Sequence, residues 1–164
     1  MNFCAIDWNE LIKILTPFVI AFFVYRIWHN QKSKEVVASE AKETIKDILL
    51  LVVSLNTLMY SPPKNIEKLN SILENHLTLH YKVFGNLLYL NECISEKQFE
   101  RALNTLFDID DDVESTSLFS TNSLNISRFN RDIQQNLNNL EKFLKQCELI
   151  INLLQPYSIY RKKI

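Results

Sequence analysis

The sequence predicts an all-α protein: one N-terminal transmembrane helix, then a cytoplasmic antiparallel helical bundle of about four helices, one short. Three observations predict it. Only one glycine, Gly85, occurs in 164 residues, whereas sheets and tight hairpins need glycine for positive φ. Apolar residues recur at alternating three- and four-residue intervals, the period of a helix seam. The stretch 8–28, WNELIKILTPFVIAFFVYRIW, is apolar and bracketed by tryptophans.

The first helix is read from that stretch. Its uncharged run, 14–25, is short for a bilayer. Lys13 and Arg26 flank it, and their long stems can lie along acyl chains while the heads reach the interface. Trp8 and Trp28 would lie about 30 Å apart at 1.5 Å per residue, which matches the hydrocarbon thickness. With Tyr25 they form an aromatic-belt pattern, so Trp8, Lys13, Tyr25, Arg26 and Trp28 are the expected membrane-interface residues. Pro17 is tolerated in a lipid-embedded helix better than in a soluble one. A cleaved signal peptide fits worse, because Asp7 and Glu10 outweigh Lys13 and no small-residue cleavage site follows. A soluble, buried helix is the alternative. Basic residues crowd the C-terminal flank (Arg26, Lys32, Lys34, then Lys42 and Lys46), which predicts the N-terminus outside and the body in the cytoplasm.

Residues 1–30 are thus expected to form a tail and anchor, and 31–164 a helical body with a basic C-terminal tail. No proline or glycine interrupts the chain between Pro17 and Pro62, so the first helix is expected to continue, with a break possible near 29–33. Ala41, Ile45, Ile48, Val52, Leu55 and Met59 form its seam, and the strongly apolar run 48–60 is expected at the centre of the core.

Ser61 is the expected cap of a second helix over 63–90, with Leu69, Leu73, Leu77, Phe84 and Leu88 on its inner side and Gly85 marking a close helix approach. Ser95 and Gln98 read as a capping box that opens a short helix over 95–107, with Phe99, Ala102, Leu103 and Leu106 inward. DIDDDVESTSLFSTNS, beginning at Asp108, has loop composition. The last helix is expected over 127–155, stopped by Pro156. Ile133, Leu137, Leu140, Leu144, Cys147, Ile151 and Leu154 form its heptad seam, the expected helix–helix interaction surface. On an up-and-down topology the basic tail 157–164 returns toward the lipid and the acidic loop points away.

Chemical motifs are sparse. The single glycine excludes P-loop and dinucleotide fingerprints. A net charge of -1 argues against a nucleic-acid partner. Cys4, Cys93 and Cys147 form no metal or disulfide framework, and Cys147 is expected to pack. His76 and His80 stand four residues apart, a spacing that can chelate, but Leu77 breaks the metalloprotease motif and polar positions at a helix border are commoner. Asp108, Asp110 and Asp112 begin like a calcium loop, yet Val113 stands where glycine is required. No catalytic residue, metal or cofactor is therefore expected. The expected role is a membrane-tethered helical protein-interaction module, a scaffold or regulatory subunit at a bacterial inner (plasma) membrane. Its expected partners are the lipid bilayer and a protein partner or a second copy. The alternative is a membrane-acting effector, toxin or pore subunit whose helical body controls self-assembly.

Overall fold

In a computed structural model that describes residues 8–114 and 125–159, the chain forms four α-helices and no strand. They are α1 (Trp8–Tyr60), α2 (Ile66–Cys93), α3 (Lys97–Glu114) and α4 (Ile126–Ser158). The helix α1 runs unbroken through 29–33, where a break was possible. The chain divides into two units, Met1–Val36 and Val37–Ile164.

In the first unit, α1 carries the apolar stretch. The helical segment Ile12–Tyr60 is the one described region long and apolar enough to cross a membrane, and none of its most apolar window is buried. Pro17 lies inside the helix. Thr16, the only uncharged polar side chain between Lys13 and Tyr25, donates to the Ile12 carbonyl at 2.6 Å. Its hydroxyl is therefore satisfied within the helix.

In the second unit all four helices contribute to one core. Along α1, Ala41, Ile48, Leu51, Leu55, Leu58 and Met59 are buried, whereas Ile45 and Val52 are partly exposed. The run 48–60 feeds the core on one side only, because Leu49, Leu50 and Val53 are exposed. Contacts between successive helices occur in reversed order. Ser54 meets His76 while the earlier Asp47 meets the later Lys82. Similarly, Ala102 of α3 meets Gln146 of α4 while the earlier Glu96 meets the later Tyr157.

The boundaries differ from the sequence reading in instructive ways. The cap of α2 is Asn65, not Ser61: its side-chain oxygen accepts from the Glu67 amide at 2.8 Å, and the helix starts beyond both prolines. Asn caps as well as Ser does, and the later start keeps Pro62 and Pro63 out of the hydrogen-bond ladder. Gly85 makes no close helix approach, since nothing lies within 4 Å of where a Cβ would stand.

The start of α3 also falls later than expected, with the Glu96 carbonyl accepting from Glu100 N–H at 3.1 Å. More consequentially, α3 continues to Glu114 through the acidic run that had the composition of a loop. Phe99, Leu103, Leu106, Asp110 and Val113 are buried at helical spacing, while Asp108, Asp111 and Asp112 face solvent. Packing of one face overrides the poor helix propensity of aspartate.

Pro156 does not stop α4, which continues to Ser158. The missing N–H would have met the carbonyl of Asn152, an exposed residue whose carbonyl water can reach. One position on, buried Tyr157 holds the helix end by donating to Glu96 Oε2 at 2.7 Å. Residues 1–7, 115–124 and 160–164 lie outside the described residues, and with them Cys4, the Ser/Thr-rich stretch and most of the basic tail.

Candidate functional site

Among the described residues, two clusters of aromatic and polar side chains form, one in each unit. In the first unit, Lys13, Tyr25, Arg26 and Trp28 all lie on α1 with exposed side chains. Trp8 opens the helix, and its side chain lies outside the described residues. Just past the apolar run, Tyr25, Trp28, His29 and Lys32 occupy positions i, i+3, i+4 and i+7, a compact rhombus on one helix face. His29 stacks on Tyr25 with ring centroids 5.9 Å apart and planes 10° apart. Lys32 Nζ stands 5.9 Å from the Trp28 ring centroid, a cation–π contact.

In the second unit, His76 and His80 are not border residues of α2 but part of its buried seam, at 2% and 8% exposure. The buried positions Leu69, Leu73, His76, His80, Val83, Leu87 and Leu90 recur at intervals of three and four. Leu77 and Phe84 sit half-buried beside that seam, and Leu88 is exposed. Each histidine has a partner on another helix. His80 Nε2 lies 2.9 Å from Asp110 Oδ1 of α3, and His76 Nδ1 lies 3.2 Å from Ser54 Oγ of α1. The two rings are 6.5 Å apart. His76, His80 and Asp110, with Leu55, Val113, Leu140 and Phe143, line a cavity of about 10 Å³, room for a single water. His80 Nδ1, buried, has no hydrogen-bond partner among the described residues.

Burial, and then the neighbouring His80, lower the His76 pKa to about 4, so this ring is neutral at physiological pH. Phe84 packs this cluster against α3 and α4: its ring lies 4.2 Å from His80, 5.2 Å from Phe107 of α3 and 6.5 Å from Phe143 of α4. Among the described residues no group of three or more His, Cys, Asp or Glu is arranged to hold a metal ion. The acidic positions 108–112 lie on a helix and not on a calcium-type loop. The buried polar groups tie α2 to α1 and α3.

A second inter-helix tie lies nearer the surface. Lys82 Nζ meets Asp47 Oδ2 at 2.8 Å and Glu43 Oε1 at 3.0 Å, and these bonds, Asp47 first, raise its pKa. Neither the pairing role of Asp110 nor that of Asp47 was singled out from sequence. Asp110 could have been found by extending the α3 seam past Leu106, where the next positions at helical spacing are Asp110 and Val113.

The α4 seam is taken up inside this core. Ile133, Leu140, Cys147 and Leu154 are buried, and Leu137, Leu144 and Ile151 are partly buried against them. The second buried column includes Phe143 and Ile150, each one position earlier than expected, and continues to Tyr157. Burial, and then Asp110, push the Cys147 thiol up to about 12, which leaves it inert as a nucleophile. Burial, and then the bond to Glu96, likewise push the Tyr157 phenol up to about 12. No family model, curated protein or solved structure matches this chain.

Proposed function

We propose that this chain is a non-catalytic, membrane-tethered helical module that acts by binding a protein partner or a second copy of itself. Residues 8–28 form its single span, the N-terminus lies outside, and residues 31–164 form a cytoplasmic antiparallel bundle at a bacterial inner membrane.

One observation carries the reading: ten aliphatic or phenylalanine side chains from Ile12 to Ile27 are exposed, each 49–68%. A core helix of this chain would have buried them. Moving them into hydrocarbon gains about 1 kcal/mol each, on the order of 10 together. Lys13 and Arg26 would each cost about 3 kcal/mol at the bilayer centre and less at the ends, where they lie. The gain wins. Sidedness follows from the basic flank, Arg26, Lys32 and Lys34 against Lys13 alone. The reversed order of inter-helix contacts supports the antiparallel bundle, and the pairing of His80 with Asp110 and of His76 with Ser54 across helices supports a packing role over catalysis.

The test is fractionation of cells expressing the full chain, with an alkaline carbonate wash and protease added from the outside of spheroplasts. The reading expects the chain in the washed pellet, with the body protected until the membrane is opened. Release by carbonate sinks the anchor; digestion of the body in intact spheroplasts sinks the orientation.

The outward Leu49, Leu50 and Val53 favour a second reading, a membrane-acting effector with this run as a further lipid contact. A potential-sensitive dye separates the two, because an effector depolarises the membrane on induction and a tether does not.

A further inference from the structure

We propose that Tyr25, Trp28, His29 and Lys32 form a headgroup site that selects anionic phospholipids around the C-terminal edge of the span. This rests on the reading that residues 8–28 span the membrane.

The geometry is that of an interface site. The apolar run ends at Val24, and the four side chains follow immediately on one face, with Tyr25 62% and Trp28 55% exposed. Phenol and indole rings favour the headgroup level, where one end is apolar and the other wet. Lys32 lies one turn beyond Trp28, about 6 Å along the axis, and its ammonium stands over the ring. Stacking of His29 on Tyr25 fixes the other half of the rhombus.

Charge decides which lipid fits. No Asp or Glu occurs between Glu10 and Glu35, a stretch that carries Lys13, Arg26, Lys32 and Lys34, although the whole chain has a net charge of -1. Lys32 has no carboxylate at ion-pair distance among the described residues; its neighbour is the Trp28 face. That face is where the quaternary ammonium of a choline headgroup would otherwise dock. With Lys32 over the indole, either headgroup can offer its phosphate to the ammonium, but the zwitterionic one also brings a choline that meets a like charge, while the anionic one keeps its net attraction. A basic side chain at an anionic surface gives about a five-fold preference.

The experiment uses the full chain carrying Trp8→Phe, so that Trp28 is the only fluorophore of its kind. The protein is reconstituted in vesicles of phosphatidylcholine with about a third phosphatidylglycerol, and the acyl chains of one lipid or the other are brominated to quench nearby indole. The expected result is that brominated phosphatidylglycerol quenches Trp28 about five-fold more effectively per molecule, and that Lys32→Gln brings the ratio close to unity. Equal quenching by the two lipids overturns the selection while leaving the span intact. A preference unchanged in Lys32→Gln overturns the assignment to this cluster. No quenching by either lipid shows that Trp28 is not at a bilayer, which removes the span and this site together.

Discussion

Asp110→Ala is expected to be among the most damaging single changes in the body, although it deletes an aspartate from an acidic run. The structure supplies the magnitude. Asp110 Oδ1 lies 2.9 Å from His80 Nε2, and both residues are at 8% exposure. His80 Nδ1 is already without a partner among the described residues, so the substitution leaves a buried imidazole with both nitrogens unsatisfied. Losing this hydrogen bond and leaving the buried ring nitrogen unsatisfied costs about 2–4 kcal/mol, a large share of the ~5–15 kcal/mol that holds a domain together. Asp110→Asn keeps the shape and an acceptor and should cost under about 1 kcal/mol. The double substitution His80→Phe with Asp110→Leu removes both polar groups and should cost less than Asp110→Ala alone. The assay is urea unfolding of the full chain in non-ionic micelles, followed by far-ultraviolet circular dichroism. An Asp110→Ala stability within about 0.5 kcal/mol of the parent, or equal effects of Ala and Asn, refutes the buried pair.

Three further outcomes follow from the same contacts. The folded-state pKa of His76, about 4, lies below the ordinary 6.5, so the unfolded chain takes up the proton first as acid is added. Its contribution is therefore complete above pH 6.5 and is lost as pH falls through about 4, on the order of 3 kcal/mol in all; urea midpoints across that window should fall, and His76→Leu should flatten the slope. Tyr157→Phe removes the 2.7 Å bond to Glu96 and should cost about 1 kcal/mol by the same unfolding assay. A maleimide at neutral pH should modify Cys93 in the native chain and spare Cys147, which is 2% exposed with its thiol pushed up to about 12; mass spectrometry of the labelled peptides reads this directly.

Particular residues show what could be read from the sequence and what could not. The helical class was legible because a single glycine and a three–four apolar rhythm leave little else. The phase of α2 was not. Leu77, Phe84 and Leu88 draw the eye as apolar, but the rhythm set by Leu69 and Leu73 passes through His76, His80 and Val83. A histidine reads as a border residue unless its partner is known, and Asp110 is thirty positions away. That partner was hidden in turn, because DIDDD reads as a solvated loop until Val113 is noticed at helical spacing behind it. In α4 the apolar pairs Phe143–Leu144 and Ile150–Ile151 offer two equally good columns, and only tertiary packing chose the first of each. Capping failed for a similar reason: Ser61 and Asn65 are both good caps, and the position of the prolines decided between them.

Whether lipid surrounds residues 14–25 is tested most directly by site-directed spin labelling of the full chain in vesicles. With the native cysteines replaced, a label at Phe22→Cys, in the middle of the run, is compared with one at Ser39→Cys, an exposed position in the body. The account predicts that Phe22→Cys collides freely with apolar oxygen and hardly at all with a water-soluble nickel chelate, and that Ser39→Cys shows the opposite. Ready collision of the chelate with the label at Phe22→Cys would contradict it.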